Sequence, residues 1–254
     1  MTGRPLLHCG TSLYRQPDSI HRTSAMTTAF TPFDIASFVW FLAVWVGQAW
    51  LTENSPWAKH SLTHFINIGR HGWVRQAATR DLRMVDTAIV AGLQNGTAFF
   101  ASTSLLAIGG GFTLLNSVDH AVGVVSALSE LTATNRIAFE YKVMGLLGIY
   151  AYAFFKFGWA YRMFNFASIL LGALPPPAEA DTTDMDKAVA RASSIIVVAG
   201  TNFNRGLRAF FMSIGYLGCF LGPLPLVVSS TFIAVVLARR QFTSNAVKAM
   251  RRYE

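Results

Sequence analysis

The sequence predicts an all-α fold, a polytopic helical membrane bundle of about four transmembrane helices with two interfacial amphipathic helices. Three observations lead there. Only 13% of the 254 residues are charged while 52% are hydrophobic. A soluble domain, in which roughly a quarter of residues are charged, would need more charge than this to coat its outside. The apolar residues fall in a few long blocks rather than short amphipathic runs. The bases behind the formal net charge of +8 flank those blocks, where they would meet anionic lipid headgroups.

Residues 1–32 are expected to form a disordered tail, rich in Ser, Thr, Arg and His and without the apolar stretch of a secretory signal. Met26 offers an alternative start. Residues 33–244 read as a single transmembrane domain and 245–254 as a basic C-terminal tail. The first apolar block, Ile35 to Leu51, carries Trp40, Trp45 and Trp50. It is just long enough to cross if Asp34 and Thr52 sit at the two interfaces, since a span needs about 20 residues. Trp57 to Thr79 reads as an interfacial helix. At 100° per residue Leu62, Phe65, Ile66, Gly69 and Trp73 share its apolar face, opposite His60, His64, Asn67 and His71.

The second block, Val85 to Leu115, exceeds one straight crossing and contains Asp86 and Gly109-Gly110-Gly111. A short amphipathic piece follows near Ala121 to Leu131. The third block, Phe139 to Leu174, ends at Pro175-Pro176-Pro177, because proline cannot continue a helical ladder. After an acidic linker, Asp184 to Phe203 reads as the second amphipathic helix, with acids at its start as the helix dipole favours. The last block, Leu207 to Leu237, holds Pro223 and Pro225 at mid-membrane depth, where a kink or interruption is expected. Orientation conflicts with the positive-inside rule. Three further spans would put the basic first connection (Lys59 to Arg83) and the basic tail (Arg239 to Arg252) on opposite sides, unless one block is re-entrant or crosses twice.

Four stretches form an ordered set: Arg80-Asp81-Leu82-Arg83 with Asp86 to Ser104 (DTAIVAGLQNGTAFFASTS), Phe157 to Asn165 (FGWAYRMFN), Phe203 to Phe211 (FNRGLRAFF), and Leu237 to Ser244 (LARRQFTS). This set, covering roughly Phe33 to Ser244, resembles the DUF599 family of predicted membrane proteins. The resemblance implies a multi-pass membrane protein; it implies no catalytic residue, cofactor or substrate. The chain departs from the pattern in its extra N-terminal residues and its His60, His64, His71 stripe.

Ionisable and amide groups within the membrane blocks are the candidate functional residues, because a charge at the bilayer centre costs about 2.5–3.5 kcal/mol and so faces protein or water. Asp86, Gln94, Asn95, Thr97, Glu140, Lys156, Arg162, Asn165 and Arg208 form that set. Lys156 reads either as a cation lining an anion path, as a partner of Asp86 or Glu140, or as a lysine snorkelling to the interface. Arg162, Asn165, Arg205 and Arg208 read as headgroup contacts or a basic vestibule. Asp86, Gln94, Asn95 and Thr97 read as a helix–helix seam or a cavity wall. His60 and His64 have zinc-like i, i+4 spacing but lack a carboxylate at the right offset, so no metal is expected.

No catalytic motif is present, so no enzyme and no cofactor is expected. The expected partners are the lipid bilayer and anionic lipid headgroups, with a homo-oligomer compatible, and no nucleic acid. A plasma or bacterial inner membrane is the expected location. The functional expectation is a channel or transporter-like protein for a small anionic solute; the alternative is a non-catalytic scaffold or anionic-lipid-binding protein.

Overall fold

A computed structural model describes residues 30–128, 135–179 and 183–252. Among the described residues the chain is helical and without strands. The expected N-terminal tail lies outside the described residues up to position 29, as do parts of the Ala121 to Leu131 piece and of the acidic linker. Four helices are long and apolar enough to cross a membrane, so this is a membrane protein of the expected all-α class.

Helix α1 (Pro32–Glu53) begins at a capping box. Thr31 accepts the Asp34 N–H, the Asp34 carboxylate accepts the Thr31 N–H, and Pro32 occupies the first turn where its missing N–H is harmless. A 3₁₀ turn (Pro56–His60) leads to α2 (Leu62–Ala78), capped by the Ser61 hydroxyl. Then come α3 (Met84–Asn116), α4 (Val118–Leu128) and α5 (Arg136–Gly172). The remaining helices are α6 (Thr183–Tyr216), α7 (Pro223–Phe242) and α8 (Asn245–Arg251).

Side-chain contacts fix the depth register. The Trp45 and Tyr152 rings lie 5.7 Å apart, the Trp40 indole donates to Thr231 at 3.0 Å, and Gln48 donates to the Ala234 carbonyl at 3.2 Å. Helices α1, α5 and α7 therefore run parallel. Helices α3 and α6 run against them. Phe100 stacks on Phe157 at 5.5 Å and Gln94 donates to Asn165 at 2.6 Å. Gly206 lies against Phe157, and Gly145 against Tyr216. We call the end where α1, α5 and α7 begin the amino face, and the other the carboxyl face.

At 1.5 Å per residue α1 spans about 33 Å, enough for one crossing, whereas α3 and α5 reach about 50 and 55 Å. Their surplus extends past the carboxyl face. There Val90 of α3 and Phe164, Ala167 and Leu171 of α5 form a core with Val74 and Ala77 of α2 and Met185, Ala192 and Ile196 of α6. A second core fills the spanning layer, built from Phe41, Ala153, Phe157, Ala209, Met212 and Leu226. Large apolar side chains of that layer, among them Phe99, Leu106, Phe155, Leu224 and Phe232, point outward. Lipid suits such a belt, and water does not.

Three expectations change. The Asp184 to Phe203 stretch is the first half of the continuous helix α6, with its apolar stripe packed on α5. On α2 the buried side chains are Phe65, Val74, Ala77 and Ala78, whereas Ile66 and Gly69 of the expected apolar face are exposed, because α2 seats its later turns on α6. The last apolar block does cross twice. Residues up to Tyr216 return along α5 to the amino face, and a 3₁₀ turn with Gly222 at φ 130° reverses the chain. Pro223 and Pro225 then sit in the first turn of α7, where they need no N–H, so they kink nothing. The chain passes five times between the faces. Gln241 accordingly donates to Thr63 at 2.5 Å and Arg251 to the His60 carbonyl at 3.4 Å. Both basic segments lie on the carboxyl face, and the charge conflict disappears.

Candidate functional site

The residues expected to form a polar pathway occupy separate places. Asp86, fully buried, anchors the α2–α3 corner: its Oδ1 accepts from the Trp73 indole and from Arg80, each at 2.7 Å. Arg83 donates to the carbonyls of Leu171 and Leu174 at 3.1 Å and of Pro175 at 2.9 Å, satisfying the open C-terminus of α5. The Arg80-to-Asp86 motif is thus a corner clamp. Gln94 and Asn165 bond each other across α3 and α5, and Thr97 is buried and bonds back to the Leu93 carbonyl. Asn95 is exposed on α3.

Glu140 lies at the amino face, paired with Arg136 at 3.1 Å; Arg136 also reaches Asp119 at 3.1 Å. Lys156 pairs with neither Asp86 nor Glu140. Its ammonium stands 5.5 Å from the Tyr152 ring centre, and the side chain is half-buried. Arg162 lies beside Trp159 and Phe166 at 5.6 and 5.7 Å.

Arg208 alone of the expected set belongs to a built polar cleft. Arg205 and Arg208, three apart on α6, share a face that meets the last turn of α1. Arg205 grips Glu53 through Nε at 3.0 Å and Nη2 at 2.5 Å. Arg208 donates to Glu53 at 2.8 Å and to the Thr52 hydroxyl at 2.6 Å. A carboxylate at a helix C-terminus opposes the dipole, and the two guanidiniums offset that.

This cluster forms one wall of a cavity of about 590 Å³, whose other walls bring Lys59, His64, Asn67 and Asn204. A neighbouring cavity of about 340 Å³ shares Thr52, Thr63, Asn204 and Arg208 and adds Arg240 and Gln241. Behind Asn67 sits Arg70. Its guanidinium rests where a side chain at Gly200 would stand, and donates to Asn67 Oδ1 at 2.8 Å. Among the described residues it has no carboxylate partner, and burial pulls it below its ordinary arginine value. It remains a cation, since arginine does not deprotonate in proteins. Glu53 is the single acid on a cleft fringed by Lys59, His64, Arg205 and Arg208. The cleft can hold an anion through several donors at once.

Sequence reasoning missed Glu53, Arg70 and the role of Arg205. The available signal was the i, i+3 pair Arg205 and Arg208 together with one acid closing the first span. The 152-residue separation of Glu53 and Arg205 hid their contact. Among the described residues no group of three or more His, Cys, Asp or Glu side chains is placed to hold a metal ion.

A family model described as "Protein of unknown function, DUF599" matches residues 36–246. No curated protein and no solved structure matches the chain.

Proposed function

Since the chain belongs to the DUF599 family, whose description assigns no activity, we propose a role from its own geometry: a membrane protein that binds phosphate-bearing anionic headgroups in the carboxyl-face cleft. The observation that carries this reading is the charge imbalance of the cleft. One carboxylate, already held by two guanidiniums, shares the cleft with Lys59 and His64, which have no acid partner among the described residues, and Arg70 stands behind the lining Asn67 as a further base without one. Arginine forks and a lysine suit phosphate oxygens. The helix C-terminus of α5 is blocked by Arg83, so these donors are not needed there.

The bases Lys59, Arg70, Arg75, Arg80, Arg239, Arg240, Lys248 and Arg251 all lie on connections or helix ends at the carboxyl face. Arg136 and Lys142 are the described bases at the other face. By the positive-inside rule the carboxyl face is cytoplasmic.

Equilibrium dialysis with dihexanoyl phosphatidic acid and dihexanoyl phosphatidylcholine tests this. The acid should bind at least about ten-fold tighter, increasingly so at low salt, and Lys59→Gln or Arg70→Gln should remove most of the difference. Equal binding of the two lipids by the native chain refutes the reading.

A second reading, passage of a small anionic solute, is favoured by one observation. A further cavity opens on the amino face and shares α1, α6 and α7 with the smaller carboxyl-face cavity. Phe41, Met212, Tyr216 and Leu226 fill the space between them, so passage would need that layer to repack. Anion efflux from liposomes containing the protein, no faster than from empty liposomes, would remove this reading.

A further inference from the structure

The amino-face cavity has a composition that the carboxyl-face reading does not use. It is about 350 Å³, within the range of small-ligand pockets, and is walled by Ile35, Phe38, Tyr141, Tyr216 and Leu226. Among the described residues Lys142 is the one cation in the lining. Lys142 is 8% exposed and makes no hydrogen bond or ion pair among the described residues. A lysine that lines a cavity without an acid partner is open to an anion.

Asp34 also lines the cavity but forms no ion pair with Lys142. Its Oδ2 is occupied by the Thr31 N–H at 2.9 Å and the Thr31 hydroxyl at 2.8 Å, which hold it in the α1 cap. Ser37, Tyr141, Tyr216 and Cys219, the other polar neighbours, offer no carboxylate to the lysine. The backbone adds to the preference. Helices α1, α5 and α7 all begin at this face, directing three positive dipole ends toward it. Gly222 and Pro223, at the start of α7, belong to the cavity wall, and no side chain caps that helix.

We infer that this cavity is a binding site for a single-chain amphiphile with a monoanionic head, a carboxylate. The head would pair with the Lys142 ammonium, and the hydrocarbon would lie against Ile35, Phe38 and Leu226. Ile35 and Phe38 of the cavity wall are also exposed on the apolar outer surface of α1, so such a molecule would enter from the lipid phase.

The test uses the full chain in phosphatidylcholine nanodiscs and equilibrium dialysis of radiolabelled octanoate, octylamine and octanol, with empty nanodiscs subtracted. Octanoate should bind at least ten-fold tighter than either analogue. Lys142→Gln should abolish that margin and Lys142→Arg should keep it. Lys59→Gln and Arg70→Gln at the opposite face should leave octanoate binding unchanged, which separates this site from the headgroup cleft. Octanoate binding no tighter than octanol to the native chain overturns the inference, a comparison that stands even if Lys142→Gln does not fold. Native-strength octanoate binding by folded Lys142→Gln overturns it as well.

Discussion

Replacing Glu53 with Gln should weaken the fold and strengthen the cleft at the same time. The carboxylate carries the charge-assisted contacts from Arg205 and Arg208. Arg208 is 11% exposed and Glu53 22%, so their 2.8 Å contact is largely shielded from water. A hydrogen bond to a charged group there contributes about 1.5–3 kcal/mol. Arg205 is 40% exposed, so its pair, although short, counts for well under 1 kcal/mol after solvent screening. Glutamine keeps one acceptor oxygen and loses the charge, which leaves an expected loss of about 2 kcal/mol. For a chain of this size that corresponds to a fall of about 4–8 °C in Tm. Thermal unfolding in a neutral detergent measures it.

The second half of the prediction distinguishes a functional cleft from a structural ion pair. With its acid removed, Arg205 and Arg208 are free to face the cavity, so dihexanoyl phosphatidic acid should bind Glu53→Gln several-fold tighter than the native chain. A variant with unchanged Tm shows that the Glu53 cluster does not hold α1 to α6. A variant that melts lower yet binds the lipid no better shows that the cleft is structural only. Glu53→Gln combined with Arg208→Gln should lose less stability than the two single changes added together, because the second removes the charge that the first leaves unpaired.

The corner clamp gives two further expectations. Asp86→Asn should lower stability by about 2 kcal/mol in a detergent unfolding titration, since it strips the charge from a buried acceptor of two donors; native stability would show that the clamp contributes nothing. Arg83→Lys should lose about 1–2 kcal/mol, because an ammonium is a point donor and cannot span the carbonyls of Leu171, Leu174 and Pro175 as a guanidinium does; a fully stable lysine variant would refute that capping role. Topology is testable with single cysteines in a Cys9→Ser background and a membrane-impermeant thiol reagent. His60→Cys and Arg252→Cys should label from one side and His120→Cys from the other, while the buried Cys219 stays unreactive; labelling of positions 60 and 252 from opposite sides would sink the five-pass register.

Local signals carried far in this chain. Pro175 to Pro177 mark the end of the third apolar block, and the structure ends α5 at Gly172. Four long apolar helices follow from block length alone. The apolar stripe of α6 was equally legible, but a stripe reports that a face needs cover without saying by what. Lipid headgroups and the side of α5 present the same apolar demand, and Met185, Val189 and Ile196 found α5.

Of the candidate polar residues, only Arg208 reached a cleft. Some are paired near home, as in Arg136 with Glu140, or across one neighbouring helix, as in Gln94 with Asn165, while Lys156 and Arg162 stand beside aromatic rings and Asn95 is exposed. By itself the sequence determined the surrounding solvent, the class of structure and the supply of charge. These depend on length, periodicity and composition, which each segment carries alone. Only the tertiary structure decided that the last apolar block is a hairpin, that both basic segments share one face, and that Glu53 meets Arg205. Those are outcomes of which helices lie side by side, and no segment encodes its neighbour's depth in isolation.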